Sequence, residues 1–205
     1  MLQTRTVEPG TLGLLKRLME MKEVSPFYLV GGTALALQIG HRVSIDLDLF
    51  TPEDYDKDML IQALDEEFEF SIVSEENRML ISYVNQVKVD FVKMSYPILF
   101  PPLLVEGVRM LDIKDIAPMK LKAITQRGSK KDFFDLYYLL ESMPLERILE
   151  LFKKKFKQYE VFHVIKSLGY FEDAEQYADP VVFDKTVSWE KVKSRITKAV
   201  ADLMT

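Results

Sequence analysis

The chain has 205 residues and a mass of 23.8 kDa, enough for one domain or a core with a modest appendage, and a chain of this size buries roughly 70% of its unfolded surface without covalent staples. It contains no cysteine, which excludes disulfide scaffolds, thiolate-ligated zinc, iron–sulfur clusters and thiol nucleophiles. The formal charge of −5 argues against a protein that binds nucleic acid with its whole surface but leaves room for a local basic patch. The two histidines, His41 and His163, leave little scope for a His-rich metal site or a Ser-His-Asp triad. No stretch reaches the length of a membrane span and the first residues lack an apolar h-region, so a cytoplasmic protein with no membrane partner is expected.

In chain order, Thr11 to Glu23 reads as an amphipathic helix through Leu12, Leu14, Leu15, Leu18 and Met19. Phe27 to Val30 reads as a strand, and Thr33 to Ile39 as a short helix closed by Gly40. Ile45 to Phe50 is a second strand, Asp56 to Glu67 a helix, and Phe68–Val73, Met79–Val84 and Val87–Val92 are three more strands rich in β-branched and aromatic residues. Beyond the Pro-rich turn of Tyr96 to Pro102, strand signals fade. Helical periodicity then runs through Asp115–Arg127, Lys131–Ser142, Pro144–Lys157, Glu160–Leu168 and Ser188–Leu203. The division expected is an α/β core over residues 1–112 and a helical region over 113–205. Charge follows it: Lys114 to Lys166 holds 12 of the 27 Lys and Arg but only 7 of the 32 Asp and Glu.

Two devices carry chemistry. Gly31-Gly32-Thr33 stands between a strand and a helix. The glycines permit a tight turn and close approach to bare backbone, and the helix N-terminus offers unpaired N–H groups and a positive dipole end to a phosphate. Thr33 can cap the helix or donate to a phosphate oxygen. An ordinary strand-to-helix turn has the same ingredients.

The second device is Asp46-Leu47-Asp48. On a strand these carboxylates share a face, with Cα atoms roughly 6.5–7 Å apart, and two such neighbours repel unless a cation sits between them. Either the pair lies on a solvated strand face or it holds a divalent metal, and oxygen-only ligands suit Mg²⁺ or Mn²⁺. Asp90, in a strongly β-patterned segment, supplies a third carboxylate if its strand lies beside that of Asp46 and Asp48; alone it reads as an edge-strand charge. Three carboxylates can hold two metals about 3.5–4 Å apart over a triphosphate.

Downstream, Lys120 and Arg127 are seven apart on a predicted helix and so share a face that can present fixed positive charge to phosphate. Asp132 and Asp135 share a face of the next helix, where Asp132 also suits the helix dipole. Arg42 and Ser44 precede Asp46 at alternate spacing and are placed to contact phosphate. His41 is expected to be structural or exposed, with nothing pairing to it.

The run Gly31-Gly32-Thr33-Ala-Leu, followed by His41-Arg42-Val-Ser44-Ile-Asp46-Leu-Asp48-Leu-Phe50, resembles the AbiEii/AbiGii toxin family of nucleotidyltransferases, within the DNA polymerase β-like superfamily. Lys88-Val-Asp90-Phe looks like that family's third-carboxylate strand. Lys120 to Arg127 and Lys131-Asp132-Phe-Phe-Asp135 look like its two downstream helical motifs. The resemblance implies an α+β fold, a nucleotidyltransferase-like mixed β-sheet with flanking helices followed by a C-terminal helical region. It implies Mg²⁺- or Mn²⁺-dependent transfer of NMP from an NTP, with Asp46, Asp48 and Asp90 on metal. Lys120 would be catalytic, and Gly31, Gly32, Thr33, Arg42, Ser44, Arg127, Asp132 and Asp135 would lie around the nucleotide. It further implies tRNA as acceptor and a cognate antitoxin as partner. A DxD glycosyltransferase accounts for Asp46 and Asp48 but not for Asp90 or the glycine turn, and a non-catalytic nucleotide-binding module has no use for three carboxylates.

Overall fold

The alternation of apolar and polar residues in the first half builds a single mixed sheet, and the helical periodicity of the second half builds a bundle. A computed structural model describes Met1–Leu203 and divides the chain into two units, Met1–Gly40 with Ser44–Asp112, and His41–Val43 with the chain from Ile113 onward.

In the first unit a 3₁₀ turn at Thr4–Thr6 leads into α1 (Pro9–Glu20). Pro9 sits in the first turn, where its missing N–H costs nothing, and the helix buries Leu14, Leu15, Leu18 and Met19. It ends three residues before the expected Glu23 because Met21 turns extended and donates its N–H to the Leu18 carbonyl. Then come β1 (Tyr28–Val30), α2 (Gly31–Ile39), β2 (Leu47–Thr51) and α3 (Lys57–Glu67). Gly40 closes α2 in the left-handed conformation, and the Asp56 side chain caps α3 by accepting from the Met59 N–H. A meander of β3 (Phe70–Glu76), β4 (Met79–Val84) and β5 (Val87–Lys93) follows.

After the Pro-rich turn the structure adds a hairpin, β6 (Leu103–Val105) and β7 (Val108–Met110), where fading strand signals were expected. Its strands are three residues long, too short for a period of two to register, and the turn rests on Glu106 and Gly107, both at positive φ. The sheet order is β3-β4-β5-β2-β1-β7-β6. β2 runs parallel to β5 and antiparallel to β1, and β1 runs parallel to β7. Leu29, Leu47, Leu49, Val89 and Phe91 are fully buried in this sheet.

The second unit contains α4 (Ile113–Arg127), α5 (Lys130–Ser142), α6 (Leu145–Lys155), α7 (Val161–Leu168), the single turn α8 (Glu172–Glu175) and α9 (Trp189–Asp202). Trp189 stacks on Phe134 and meets Phe133 and Phe171 edge-on. Lys155 turns inward from its lysine run and pairs at 2.5 Å with Asp115, both side chains fully buried. His41–Val43 joins this unit through strand-like bonds, Val43 N–H to the Val181 carbonyl and Phe183 N–H to the His41 carbonyl. No described helix is long and apolar enough to cross a membrane.

Candidate active site

Parallel pairing of β2 with β5 sets Asp48 directly opposite Asp90. Strands lie about 4.8 Å apart, so register partners on a parallel ladder project to the same face. Leu47, Leu49, Val89 and Phe91 occupy the opposite, fully buried face, which leaves the two carboxylates half-buried on the other side. Asp46 corrects the expectation of a strand pair: β2 begins at Leu47, so Asp46 belongs to the incoming loop. Thr33 holds that loop. Its hydroxyl hydrogen-bonds the Asp46 carbonyl and lies 2.9 Å from Ser44 Oγ, with Thr33 and Ser44 both buried. Thr33 therefore does not cap α2, whose N-terminus has no side-chain cap.

Gly31 begins α2 at φ +69°, and a Cβ added there would lie 2.0 Å from Asp48 Oδ2. Glycine is required twice over, by the positive φ and by the carboxylate pressed against its backbone. The helix N-terminus thus meets an anion of the chain itself, a favourable placement for negative charge. Lys88, two residues before Asp90 and so on the same face of β5, puts its Nζ 2.8 Å from each Asp90 oxygen. Burial pulls the Lys88 ammonium's pKa down, but the hydrogen bond and charge of Asp90, with the charges of Asp46 and Asp48, outweigh it and hold the group above its ordinary value.

The helical unit carries a different polar cluster. Asp135, fully buried on α5, receives His41 Nε2 at 2.7 Å, Arg42 Nε at 2.6 Å and Nη2 at 3.0 Å, and Lys120 Nζ at 2.6 Å. Asp132 receives Arg127 Nε at 2.7 Å and Nη2 at 2.9 Å, and Lys120 Nζ at 3.1 Å. The shared faces expected of Lys120 with Arg127 and of Asp132 with Asp135 are what bring these groups together. Burial opposes ionisation of Asp135, yet Arg42, Lys120 and the His41 and Arg42 hydrogen bonds hold its carboxyl well below the usual carboxylate range. Asp132 is held low against its own burial by Lys120 and Arg127. Lys120, desolvated but facing both carboxylates, is raised.

His41 is structural, the first of the two alternatives expected, but it is paired with Asp135 where no partner was expected. Burial lowers its pKa more than Asp135 raises it. The neutral ring then donates from Nε2 to Asp135 and leaves Nδ1 buried without a hydrogen-bond partner.

Residues 13–203 match the family described as nucleotidyl transferase AbiEii toxin, type IV toxin–antitoxin system. The chain belongs to this family. The chain is 35% identical over 196 residues to the uncharacterized protein aq_aa25 of Aquifex aeolicus strain VF5, covering 93% of this chain and 94% of the relative. In fold it resembles JHP933 from Helicobacter pylori (TM-score 0.58, 18% identity, 96% of this chain and 93% of the other). It also resembles MenT4, a nucleotidyltransferase toxin of Mycobacterium tuberculosis H37Rv (TM-score 0.55, 16% identity, 94% and 84%). The protein is a nucleotidyltransferase of the α+β class.

A family of this kind implies a divalent metal, and the donors of the sheet unit suit one. Asp48 and Asp90 are adjacent oxygen donors, Asp46 is held next to them in sequence, and a cation, the Lys88 ammonium, is already chelated by both oxygens of Asp90. Among the described residues, no three acidic or imidazole side chains are gathered tightly enough to hold a metal ion by themselves. The pairing of Lys88 with Asp90 was not expected. Its signal was present in Lys88-Val-Asp90, a lysine and a carboxylate at strand spacing.

Proposed function

We propose that the protein transfers a nucleoside monophosphate from an NTP to an acceptor hydroxyl using Mg²⁺ or Mn²⁺ at Asp48, Asp90 and Asp46. The acceptor is the 3′ end of a tRNA, and the protein acts in the cytoplasm as the toxin of a pair with a cognate antitoxin. The observation that carries the reading is the in-register pairing of Asp48 with Asp90 at the N-terminus of α2. In the reaction the acceptor oxygen bonds to the α-phosphorus, the bond to the β-phosphate oxygen breaks and pyrophosphate leaves. The chemistry a divalent metal supplies when bound is charge neutralisation of the triphosphate and a lowered pKa for the attacking hydroxyl.

The chain's own residues do the rest. Asp48 and Asp90 provide the oxygen ligands, and Asp90 takes the hydroxyl proton. The N–H groups of Gly31 and Gly32 supply the positive end of α2. Thr33 and Ser44 fix the loop that delivers Asp46. The family motif makes Lys120 the catalytic cation of the reading; within the helical unit it is held by Asp132 and Asp135, which also bind Arg127 and Arg42.

The acceptor reading draws on the helical unit. Of the lysines in the basic segment, Lys130 pairs with Asp179 and Lys155 with Asp115, so neither is offered to an RNA backbone. Lys153, Lys154 and Lys157 remain exposed, near in sequence to Phe162, which is 71% exposed and offers a stacking face. The test is incubation with each labelled NTP, Mg²⁺ and total RNA, with sizing of the products. Labelled tRNA is expected from the wild type and at least about 100-fold less from Asp48→Asn. Equal labelling by the two proteins overturns the proposal, and labelled product of another size redirects the acceptor.

A further inference from the structure

The carboxylates of the sheet unit are not left to water. Lys88 Nζ is 2.8 Å from both oxygens of Asp90, a two-pronged contact that a divalent cation at the same carboxylate would have to replace. The contact is local and built into β5: residues 88 and 90 share a face, while Val89 and Phe91 between and after them anchor the strand in the core with no exposure. Lys88 also stands next to the other two acids. The β2–β5 register sets Asp48 opposite Asp90, and the charges of both Asp46 and Asp48 act on the Lys88 ammonium. The Lys88 side chain is 36% exposed and that of Asp90 18%, so the ammonium reaches inward from the solvent side on a stem that can swing out.

Three acids bring three negative charges to one patch, and clustered carboxylates destabilise one another unless a cation intervenes. Lys88 supplies one positive charge without leaving the chain. A metal binding Asp90 must break the charge-assisted contact, which weakens binding of the metal alone. A triphosphate arriving with the metal offers the displaced ammonium new anionic oxygens and returns what was lost. Coupling of this kind is reciprocal: the nucleotide strengthens the metal by the factor with which the metal strengthens the nucleotide.

We propose that Lys88 is the resident counter-ion of the carboxylate site, displaced by the metal and taken up by the nucleotide's phosphates, so that metal and nucleotide bind as a unit. The inference rests on the metal-dependent reading above.

The experiment titrates Mn²⁺ into the full-length protein, following free Mn²⁺ by electron paramagnetic resonance, with and without a non-hydrolysable α,β-methylene NTP. Lys88→Met is expected to bind Mn²⁺ alone about tenfold more tightly than the wild type and to gain less from the nucleotide, while Lys88→Arg stays close to the wild type. Lys88→Gln, which keeps a hydrogen-bond donor but no charge, serves if Lys88→Met does not fold. Equal or weaker Mn²⁺ affinity in the uncharged variant, with the wild type binding Mn²⁺ in the presence of nucleotide, overturns the role of Lys88 alone. No Mn²⁺ binding by any of the proteins, even with nucleotide, overturns the metal reading and this inference with it.

Discussion

The sheet unit and the helical unit each concentrate charge, and they treat it in opposite ways. On the sheet, Asp48 and Asp90 are half-buried neighbours at a strand pair, and a single lysine on a long stem answers Asp90. In the bundle, Asp132 and Asp135 have no exposure and are surrounded by Arg42, Lys120, Arg127 and the neutral ring of His41. The first arrangement leaves both carboxylates half-buried, within reach of solvent. The second has cations in excess of carboxylates and nearly every polar atom committed. Acidic pairs alone do not mark a metal site; what surrounds them decides whether they are donors in waiting or the fixed partners of buried cations.

Removing one member from each region separates the two roles. Asp135→Ala leaves Arg42 and Lys120 buried without their shared carboxylate, and such losses cost about 3–5 kcal/mol. Urea unfolding should show a loss of that size, and a change below about 1 kcal/mol would mean the network contributes no rigidity. Asp48→Asn should do the reverse, lowering nucleotidyl transfer at least about 100-fold with the urea midpoint little changed. Gly31→Ala lies between them. The left-handed φ costs of order 1–3 kcal/mol, and the new methyl must displace the Asp48 carboxylate. Both stability and Mn²⁺ binding should therefore fall, and normal metal binding would show that Asp48 is not a ligand.

The pH dependence is a smaller effect with a definite sign. His41 titrates below its ordinary 6.5 when folded. The unfolded chain therefore takes up this proton first as pH falls, and stability present above pH 6.5 declines as pH drops through the folded value. Asp135 adds a second loss further down, since its folded pKa lies well below the ordinary carboxylate value: its contribution is full above about pH 4 and disappears as pH falls through the folded pKa. Urea midpoints for His41→Gln should lack the first decline and keep the second. The smallest effect expected is on the acceptor: reversing Lys153, Lys154 and Lys157 to Glu should weaken RNA binding and flatten its salt dependence, without altering Mn²⁺ affinity.

Much of the sheet site was legible. Gly31, Asp48 and Asp90 stand out because glycine before a helix and aspartate within apolar strands run against local propensity, and such residues need a compensating partner. The helix faces carrying Lys120, Arg127, Asp132 and Asp135 were legible from 3.6-residue spacing. His41 was not, because a lone imidazole in a loop has no local pattern, and its partner lies 94 residues away. Arg42 was read toward phosphate for the same reason, while its guanidinium is spread over both oxygens of Asp135. Lys155 follows two exposed lysines in sequence, and nothing local shows that its own position on α6 points into the core.

Apart from the short β6–β7 hairpin and the loop that carries Asp46, the sequence by itself determined the element types and the family, because hydrophobic period and motif order are local, one-dimensional properties. Only the tertiary structure decided which charge meets which. Strand register set Asp48 against Asp90, and close packing brought the Gly31 backbone onto Asp48. Burial turned Asp132 and Asp135 into the shared anchors of three cations. A charge lowers its energy through whatever lies within a few ångströms, and in a folded chain those neighbours come from segments far apart in sequence.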